Sequence, residues 1–427
     1  MNDPTTRRTF LKASAASAIA STALLPGAYA GAGNETLRVG LVGCGGRGSG
    51  AAREALRADP NTKLVAMCDV FMDRLNESLQ GFKTAKSNRD IAPRVDVPED
   101  RRFDGFDGYK KLLNCGVDVV LLATPPGFRP LHLRAAIVAG KHVFCEKPVA
   151  VDVPGIHSVI ETAKLAKKRN LGLCSGYCWR YDKPKRETVK RIHDGMIGEV
   201  QAIHATYFAG PLWDRGTNDP FTSMTYQLRN WYYYSWLSGD FIVEQHCHNF
   251  DKANWVLKGM QPISAMGVGG RQVRTAERFG NIYDHFAVTL EFPGGVKLFS
   301  ACRQMPHIPG DVNDHIFGTK GQAQLMQHTI TPIGGKPWEY EGDSKSMYQV
   351  EHDELFASIR AGKPINDGET AALSSGMAIF AREAAYSGER LSWKKFMASE
   401  KSLAPKEYAW GENEVQAVPL PGVYRFV

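Results

Sequence analysis

Long hydrophobic runs, dense basic blocks and paired cysteine motifs are the features that this chain of 427 residues has little of. After residue 30 there is no stretch of about 20 apolar residues, so no transmembrane helix is expected there. The formal net charge is +7, but no Lys/Arg block is dense enough to indicate nucleic-acid binding. The composition is that of a globular protein, and the length favours two domains.

The eight cysteines do not form a recognisable disulfide or zinc pattern. Cys44 lies in a glycine-rich turn, and Cys68, Cys145 and Cys174 lie in apolar runs. Cys174 and Cys178 lack the second pair that a structural zinc site needs. We therefore predict that the cysteines are free and act mainly as small buried core residues.

The first 30 residues carry an export pattern. Residues 6–12, Thr-Arg-Arg-Thr-Phe-Leu-Lys, form a twin-arginine motif, and a weakly hydrophobic, alanine-rich run follows over 13–25. Ala28 and Ala30 then supply a small-x-small cleavage site. The sequence predicts a twin-arginine signal peptide over 1–30 and a mature protein that is periplasmic or otherwise exported.

A glycine-rich turn follows the first predicted strand, residues 37–42. In such a turn Gly43 permits the tight bend, Gly45 lets the backbone approach a pyrophosphate, and Gly48 lets the next helix pack close to the strand. The pyrophosphate is expected on the free N–H groups of that helix. The motif alone is weak, but here it follows a strand and opens a helix. The predicted dinucleotide-binding residues of the turn are Gly43, Gly45, Gly46, Arg47 and Gly48.

A second predicted strand, residues 63–68, ends at Asp69, which lies 21 residues after Gly48. A carboxylate at this place accepts hydrogen bonds from the ribose hydroxyls and repels a 2′-phosphate. NAD is therefore favoured over NADP as the cofactor. Arg74 lies about one helical turn further on, and its positive charge weakens this preference for NAD over NADP.

Two further strands, predicted over 117–123 and 142–145, end in polar or proline-containing segments. Ligands bind beyond the carboxyl ends of strands in such sheets, which places Lys147 beside the nicotinamide. The proline at 148 makes the bond before it a candidate cis peptide. The residues at these strand ends that we predict to contact the cofactor are Thr124, Pro125, Glu146 and Lys147.

These features together resemble the Gfo/Idh/MocA family of oxidoreductases, as do segments 195–200, 239–251 and 317–321 further along the chain. The resemblance implies an α/β fold class, with an N-terminal Rossmann dinucleotide-binding domain and a C-terminal α/β domain built on a large, mostly antiparallel open sheet. It also implies a homodimer or homotetramer formed through that sheet. The expected divisions after the signal peptide are a Rossmann NAD-binding domain over 35–178, a substrate-binding and oligomerisation domain over 179–398, and a tail over 399–427.

The patterns of the second domain agree with such a sheet. Alternating apolar residues predict strands over 202–208, 285–292 and 296–302. Helical patterns cover 351–360 and 371–386. The tail is rich in proline, glycine and charge, and we expect it to wrap the surface or a neighbouring subunit.

The segment 229–251 is the densest in chemically active side chains. Its second half is predicted to form one helix, with Glu244 and His248 four residues apart on one face. The resemblance implies proton transfer by His248 and Lys147, with Glu244 at a position where similar dehydrogenases carry aspartate. Histidine titrates near pH 6.5, and burial and a nicotinamide cation would both lower the pKa of Lys147. The predicted catalytic residues are Lys147, Glu244 and His248.

Aromatic faces stack well on sugar C–H surfaces, and the aromatic run over residues 231–236 leads directly into the second half of this segment. A metal site formed by Glu244, His246 and His248 is an alternative, but the family uses no metal. The predicted substrate-contacting residues are Tyr177, Arg180, Trp231, Tyr232 and His246.

Export sets a constraint on the function, because free NAD is scarce outside the cytoplasm. A tightly held cofactor that returns to its starting state avoids this difficulty. The favoured function is hydride transfer between bound NAD and a secondary alcohol of a sugar or glycoside, either between two sugars or with oxidation at carbon 3 of a glycoside for a partner. The alternatives are a redox-neutral NAD-dependent glycosidase and a non-catalytic binding protein. The glycosidase needs one further base, for which the candidates in range are Tyr232, Tyr233, Tyr234, Glu244 and His246.

Overall fold

The computed structural model describes residues 35–216 and 218–426. The predicted signal peptide, residues 1–30, lies outside this range. Within it, no helix has both the length and the apolar character needed to cross a membrane. The described chain is organised around two sheets, and the predicted boundary near residue 178 falls between them.

The first sheet consists of six parallel strands. Its strands are β1 (Leu37–Val42), β2 (Thr62–Cys68), β3 (Arg102–Phe103), β4 (Val119–Leu122), β5 (His142–Cys145) and β6 (Leu173–Ser175). The central strands are continuous apolar runs because helices cover both faces of the sheet. The strand order is β3-β2-β1-β4-β5-β6, so the order reverses between β1 and β4. This reversal opens a crevice at the carboxyl ends of the two strands.

Five helices belong to this first domain. They are α1 (Gly46–Ala58), α2 (Met72–Thr84), α3 (Gly108–Leu113), α4 (Arg129–Val138) and α5 (Val153–Lys168). Helix α1 begins at Gly46, inside the glycine-rich turn, which places its free N–H groups at the crevice. The Rossmann architecture predicted from the sequence is confirmed.

The second sheet has nine strands. They are β7 (Val200–Ala209), β8 (Ser264–Gly270), β9 (His285–Glu291), β10 (Lys297–Gln304), β11 (Asp311–Gly318), β12 (Gly321–Gln324), β13 (Thr329–Pro332), β14 (Trp338–Glu339) and β15 (Leu391–Ser392). Their order is β14-β13-β12-β11-β7-β10-β9-β8-β15, and only the β7–β10 pair is parallel. The predicted large, mostly antiparallel sheet is therefore confirmed.

Helices cover one face of this second sheet. The helices after the first domain are α6 (Lys183–His193), α7 (Met224–Arg229), α8 (Ser235–Ser238), α9 (Phe241–Glu244), α10 (Cys247–Val256), α11 (Met347–Arg360), α12 (Gly368–Ser387) and α13 (Trp393–Met397). Helix α12 is buried over nearly all of its length, and α11 returns to pack against α1. The chain after residue 398 runs without helix or strand to residue 426, over both domains.

The single helix predicted over the second half of segment 229–251 is wrong, because the chain forms the two helices α9 and α10 with a break at Gln245 and His246. The His246 N–H bonds to the carbonyl of Phe241, five residues back, at 3.2 Å. A five-residue return of this kind interrupts the regular helical spacing. Glu244 therefore ends one helix, and His248 lies in the first turn of the next.

Candidate active site

The glycine-rich turn leaves an open space in front of helix α1. Gly43 has a φ of +93°, and a Cβ on Gly48 would lie 1.9 Å from the carbonyl oxygen of Gly43. Both positions therefore need glycine for the turn itself. A Cβ on Gly45, by contrast, would meet no protein atom within 4 Å. This free volume beside the N–H groups of α1 fits a pyrophosphate.

A pocket runs from this turn along the crevice between β1 and β4. Asp69 is fixed at its wall by two backbone donors, the N–H of Cys44 at 2.7 Å from Oδ2 and the N–H of Phe71 at 3.0 Å from Oδ1. Burial raises the pKa of Asp69, and these two donors act against that rise. We call this space the dinucleotide pocket; its lining includes Gly43, Gly45, Gly46, Asp69, Phe71, Arg74, Phe106, Thr124, Pro125, Arg215, Arg229 and Trp231.

Arg47 connects the turn to three carboxylates. Its guanidinium lies 2.9 Å from Glu54 and 3.1 Å from Glu351, and it also donates to Glu146. Burial, and then the neighbouring Glu146, raise the pKa of the fully buried Glu351. Arg47 therefore holds Glu146 in place and ties α11 to α1, and direct cofactor contacts by Arg47 and Glu146 stay predictions.

Lys147 follows β5 and forms an ion pair with Glu244 across the two domains. Its Nζ lies 3.0 Å from Glu244 Oε1 and also donates to the backbone carbonyl of Glu244. Both side chains are only 13% exposed. Burial by itself would lower the pKa of Lys147, but the charge of Glu244 outweighs it and the net pKa lies above the ordinary lysine value. The expectation that burial leaves Lys147 with a lowered pKa is therefore wrong for the protein alone, and Lys147 is a cation.

His248 is held as a neutral imidazole near this pair. Its ring stacks on Trp179 with centroids 4.8 Å apart, and Tyr177 meets it edge-on at 6.1 Å. Burial lowers the pKa of His248 well below the ordinary value, and the cations Lys147 and Lys252 lower it further. Its Nδ1 is buried and has no hydrogen-bond partner within residues 35–216 and 218–426. As a neutral imidazole, the ring has one nitrogen that can accept a proton.

Three of the predicted substrate contacts are buried in the core. His246 is fully buried with its Nε2 2.7 Å from Ser300 Oγ, and burial lowers its pKa to about 3. The Tyr177 hydroxyl lies 2.9 Å from Ser375 Oγ, and the Tyr232 hydroxyl accepts from Gln304 Nε2 at 3.0 Å. A direct substrate contact by these side chains would require the core to rearrange.

The other two predicted substrate residues lie in different cavities. Arg180 holds the carboxylate of Asp251 at 2.9 Å, and it lines a separate cavity of about 940 Å³ beside α5 and α13. Trp231 lines the dinucleotide pocket instead. The structure therefore brings Lys147, Glu244 and His248 together, whereas Arg180 and Trp231 line two other cavities.

The predicted metal alternative does not fit this arrangement. Among the described residues, the group of histidine and acidic side chains that converges closely enough for a metal is Glu54, Glu351 and His352. It excludes Glu244 and His248, and the Arg47 guanidinium already pairs with both of its carboxylates.

A strand-end lysine paired to a carboxylate, a neutral histidine and a pyrophosphate-sized cradle define a dinucleotide-dependent oxidoreductase. Comparison with known families identifies it further. The family model described as "Oxidoreductase family, NAD-binding Rossmann fold" matches residues 37–173, and the family model described as "GFO/IDH/MocA C-terminal domain" matches residues 186–324. The chain belongs to the Gfo/Idh/MocA family of NAD-binding oxidoreductases, which confirms the predicted family and cofactor.

Individual relatives are distant. A glycosyl hydrolase family 109 protein of Shewanella pealeana is 25% identical over 70% of this chain, but the match spans only 59% of that protein. Inositol 2-dehydrogenase 3 of Saccharopolyspora erythraea is 26% identical over 70% of this chain and 75% of its own length. The structure of the aldose-aldose oxidoreductase of Caulobacter crescentus superposes with a TM-score of 0.64 at 20% identity, covering 84% of this chain and all of that one. At that identity the structural likeness shows the fold alone.

Several residues of the site were missing from the sequence-based set. Phe71, Phe106 and Arg229 line the dinucleotide pocket. Phe71 follows Asp69 by only two residues. Its closeness in the sequence to that predicted ribose-binding carboxylate could have indicated that it lines the pocket. Phe106 and Arg229 come from a loop and from the second domain, and their position depends on long-range packing.

The charge of Glu244 should set the alkaline limit of activity. In Glu244→Gln the carboxylate that contributes most to raising the pKa of Lys147 is gone, so the pKa falls because burial is opposed only by the remaining charges, such as Glu146. A reaction that depends on the Lys147 cation loses activity as the pH rises through the pKa of Lys147. We expect the alkaline limb of kcat/KM to move down by about one pH unit or more. A pH–rate profile measures this shift, and Glu244→Asp, which keeps the charge, is the control. An activity that rises with pH in Glu244→Gln would show instead that Lys147 works as a neutral base.

Asp69 should determine the choice between NAD and NADP. Asp69→Asn keeps the side-chain shape but removes the charge that accepts from ribose hydroxyls and repels a 2′-phosphate. Arg74 and Arg215 line the same pocket and would attract that phosphate. We expect the ratio of NAD to NADP affinity to fall at least about tenfold, since charged hydrogen bonds are worth roughly 1.5–3 kcal/mol. Calorimetry with both dinucleotides measures the ratio. Glu161→Gln, an exposed carboxylate on α5, is the charge control, and an unchanged ratio in Asp69→Asn would contradict the assignment.

Proposed function

We propose that the protein transfers a hydride between a retained NAD and a secondary alcohol of a sugar or glycoside. The observation that carries this proposal is the Lys147–Glu244 ion pair, 3.0 Å long, in a site that also holds the neutral ring of His248. Relatives named as inositol dehydrogenases support a polyhydroxylated substrate.

Lys147, Glu244 and His248 each have a different role in the oxidation of the alcohol. NAD⁺ supplies the hydride acceptor when it is bound. The neutral imidazole of His248 takes the hydroxyl proton, and the Lys147 ammonium donates to the same substrate oxygen as negative charge develops on it. Glu244 keeps Lys147 charged and fixes its position. In the reverse direction His248 returns the proton to the oxygen of the reduced carbonyl.

We also propose that this chemistry takes place outside the cytoplasm, after twin-arginine export. The support is the sequence pattern of residues 1–30. Export of a folded protein allows NAD to travel inside it. A cofactor that stays bound must be regenerated at the same site, by a second sugar or by an acceptor that enters the cleft.

The redox-neutral glycosidase remains the second candidate, supported by the relative named as a family 109 glycosyl hydrolase. It needs an additional base, and the side-chain contacts weigh against most candidates. The hydroxyls of Tyr233 and Tyr234 donate to backbone carbonyls at 2.8 Å and 3.1 Å, and His246 is bonded to Ser300. Glu244 is the acceptor that faces the site, and Lys147 already neutralises it, which favours the oxidoreductase.

The deciding experiment uses the purified mature protein without added cofactor. Monosaccharides and p-nitrophenyl glycosides are titrated in turn while the near-ultraviolet absorbance of reduced nicotinamide and the release of nitrophenol are recorded. A rise in nicotinamide absorbance without nitrophenol supports the oxidoreductase. Steady nitrophenol release with no net reduction would overturn it in favour of the glycosidase.

We propose that the open face of the second sheet pairs with another copy of the chain. The strand registers place Met266, Val268, Phe299 and Phe317 on one face, and all four are exposed. An exposed apolar face of this kind marks an interaction surface. We expect a dimer or tetramer by light scattering, and Phe299→Glu should dissociate it. Ile333→Glu, exposed outside the strands, is the control; a wild-type monomer would contradict the proposal.

A further inference from the structure

The outer side of the dinucleotide pocket is covered by the C-terminal tail. Trp410 packs on Phe106 with centroids 5.0 Å apart and on Phe71 at 5.8 Å, and both of these rings line the pocket. Tyr408 packs on Phe128, a third lining residue, at 5.1 Å. The two tail rings thus lie directly behind the pocket wall.

The tail is fixed on both sides of these rings. Before them, the N–H of Leu403 donates to Asp152 Oδ2 at 2.8 Å. After them, the carbonyl of Gly411 accepts from the N–H of Met224 at 2.8 Å, and the N–H of Asn413 donates to the carbonyl of Thr222 at 2.7 Å. Residues 403–413 therefore form a strap that starts on the first domain and ends on the second. Apart from one β-bridge between Glu412 and Ser223, no residue of the strap is helical or part of a strand, so these anchors determine its path.

The second domain also contributes to the outer side of the dinucleotide pocket. Arg229 forms a two-pronged ion pair with Asp73 at 2.8 and 2.9 Å, and its guanidinium lies 3.7 Å from the ring centroid of Phe71. This contact joins the two domains at the pocket wall. The lining of the pocket includes Asp69 and not Lys147, so the pocket takes the adenosine end of the dinucleotide.

We propose that the strap of residues 403–413, through Tyr408 and Trp410, forms the outer wall of the adenosine site and limits the release of NAD. Trp410 keeps half of its surface exposed although it is a large aromatic residue, which fits a side chain held in place to cover a ligand. Release of the adenosine then requires the tail rings to leave Phe71 and Phe106. The inference rests on the proposed function only for the retention of NAD, since NAD binding follows from the family.

The test compares NADH release from the wild type and from Tyr408→Ala/Trp410→Ala. Protein loaded with NADH is mixed with excess NAD⁺, and the loss of bound NADH fluorescence gives the dissociation rate constant. We expect release at least about tenfold faster in the double variant, since paired aromatic contacts carry roughly that factor. The amount of NAD that copurifies should fall in parallel.

Three further variants keep the result decisive. Trp410→Phe retains a ring and should release NADH at nearly the wild-type rate, and Leu420→Ala changes an exposed tail residue outside the strap. Trp410→Ala alone removes a half-exposed ring and replaces the double variant if that one fails to fold. A dissociation rate constant within about twofold of the wild type in a folded Trp410→Ala would overturn the proposal. Because no sugar is present, failure here is separate from failure of the proposed reaction.

Discussion

Replacing Lys147 by alanine is expected to reduce kcat by about 10³-fold or more while NAD remains bound. The loss is large because, in the proposed mechanism, Lys147 is the cation that stabilises negative charge on the substrate oxygen; its Nζ is the partner of Glu244. The cofactor should stay, because the residues predicted to hold its pyrophosphate and ribose, the turn glycines and Asp69, are unchanged. Single-turnover reduction of bound NAD by the active sugar, together with the NAD content after gel filtration, measures both quantities.

The control for this variant must separate chemistry from stability. Removing Lys147 leaves Glu244 as a largely buried carboxylate without its partner, which lowers stability. The double variant Lys147→Met/Glu244→Gln removes both charges and should recover the melting temperature without recovering activity. Lys168→Ala, an exposed lysine on α5, should change neither. Retained turnover in a folded Lys147→Ala would show that the reaction takes place elsewhere.

Four central strands of the first domain could be predicted because their determinants are local. The strands are apolar runs whose ends are marked by glycine, acid or proline, and β5 lies at its predicted position, residues 142–145. The turn glycines follow from close backbone contacts that only glycine allows. Lys147 and Asp69 could be identified for the same reason, since ligands collect at the carboxyl ends of parallel strands.

The second half of the site could not be derived in this way, because distant residues shape it. The break between α9 and α10 follows a turn at Asp240, which has a φ of +72° and whose carboxylate accepts from Tyr283 and Tyr386. Those residues are 43 and 146 positions away in the chain. The raised pKa of Lys147 likewise depends on Glu244 arriving from the other domain. Neither effect leaves a periodic signal in the sequence.

The contacts of the C-terminal tail could not be predicted from the sequence either. Its composition suggested only a segment that wraps a surface. The contacts of Trp410 with Phe71 and Phe106 join parts of the chain that are more than 300 residues apart. An aromatic pair within a stretch rich in proline and charge was the available signal, but it did not indicate which surface the pair covers. The structure supplies that surface, which is the wall of the dinucleotide pocket formed by Phe71 and Phe106.

Gly45→Val is expected to abolish NAD binding without destabilising the protein. The backbone at Gly45 is extended, with φ −68° and ψ −178°, so a branched side chain is allowed there. Its Cβ would meet no protein atom within 4 Å, and the valine would instead occupy the space that the pyrophosphate needs in front of α1.

We expect the NAD affinity of Gly45→Val to fall at least about 100-fold, because the charged hydrogen bonds to the N–H groups of α1, each worth roughly 1.5–3 kcal/mol, can no longer form. Gly48→Val is the matched contrast: its Cβ would lie 1.9 Å from the carbonyl oxygen of Gly43, so the turn itself must distort and the melting temperature of the NAD-free protein should fall. Calorimetric titration with NAD and thermal unfolding of both NAD-free variants separate the two effects. If Gly45→Val binds NAD normally, the pyrophosphate does not lie at the N-terminus of α1, and the placement of the nicotinamide beside Lys147 is wrong with it.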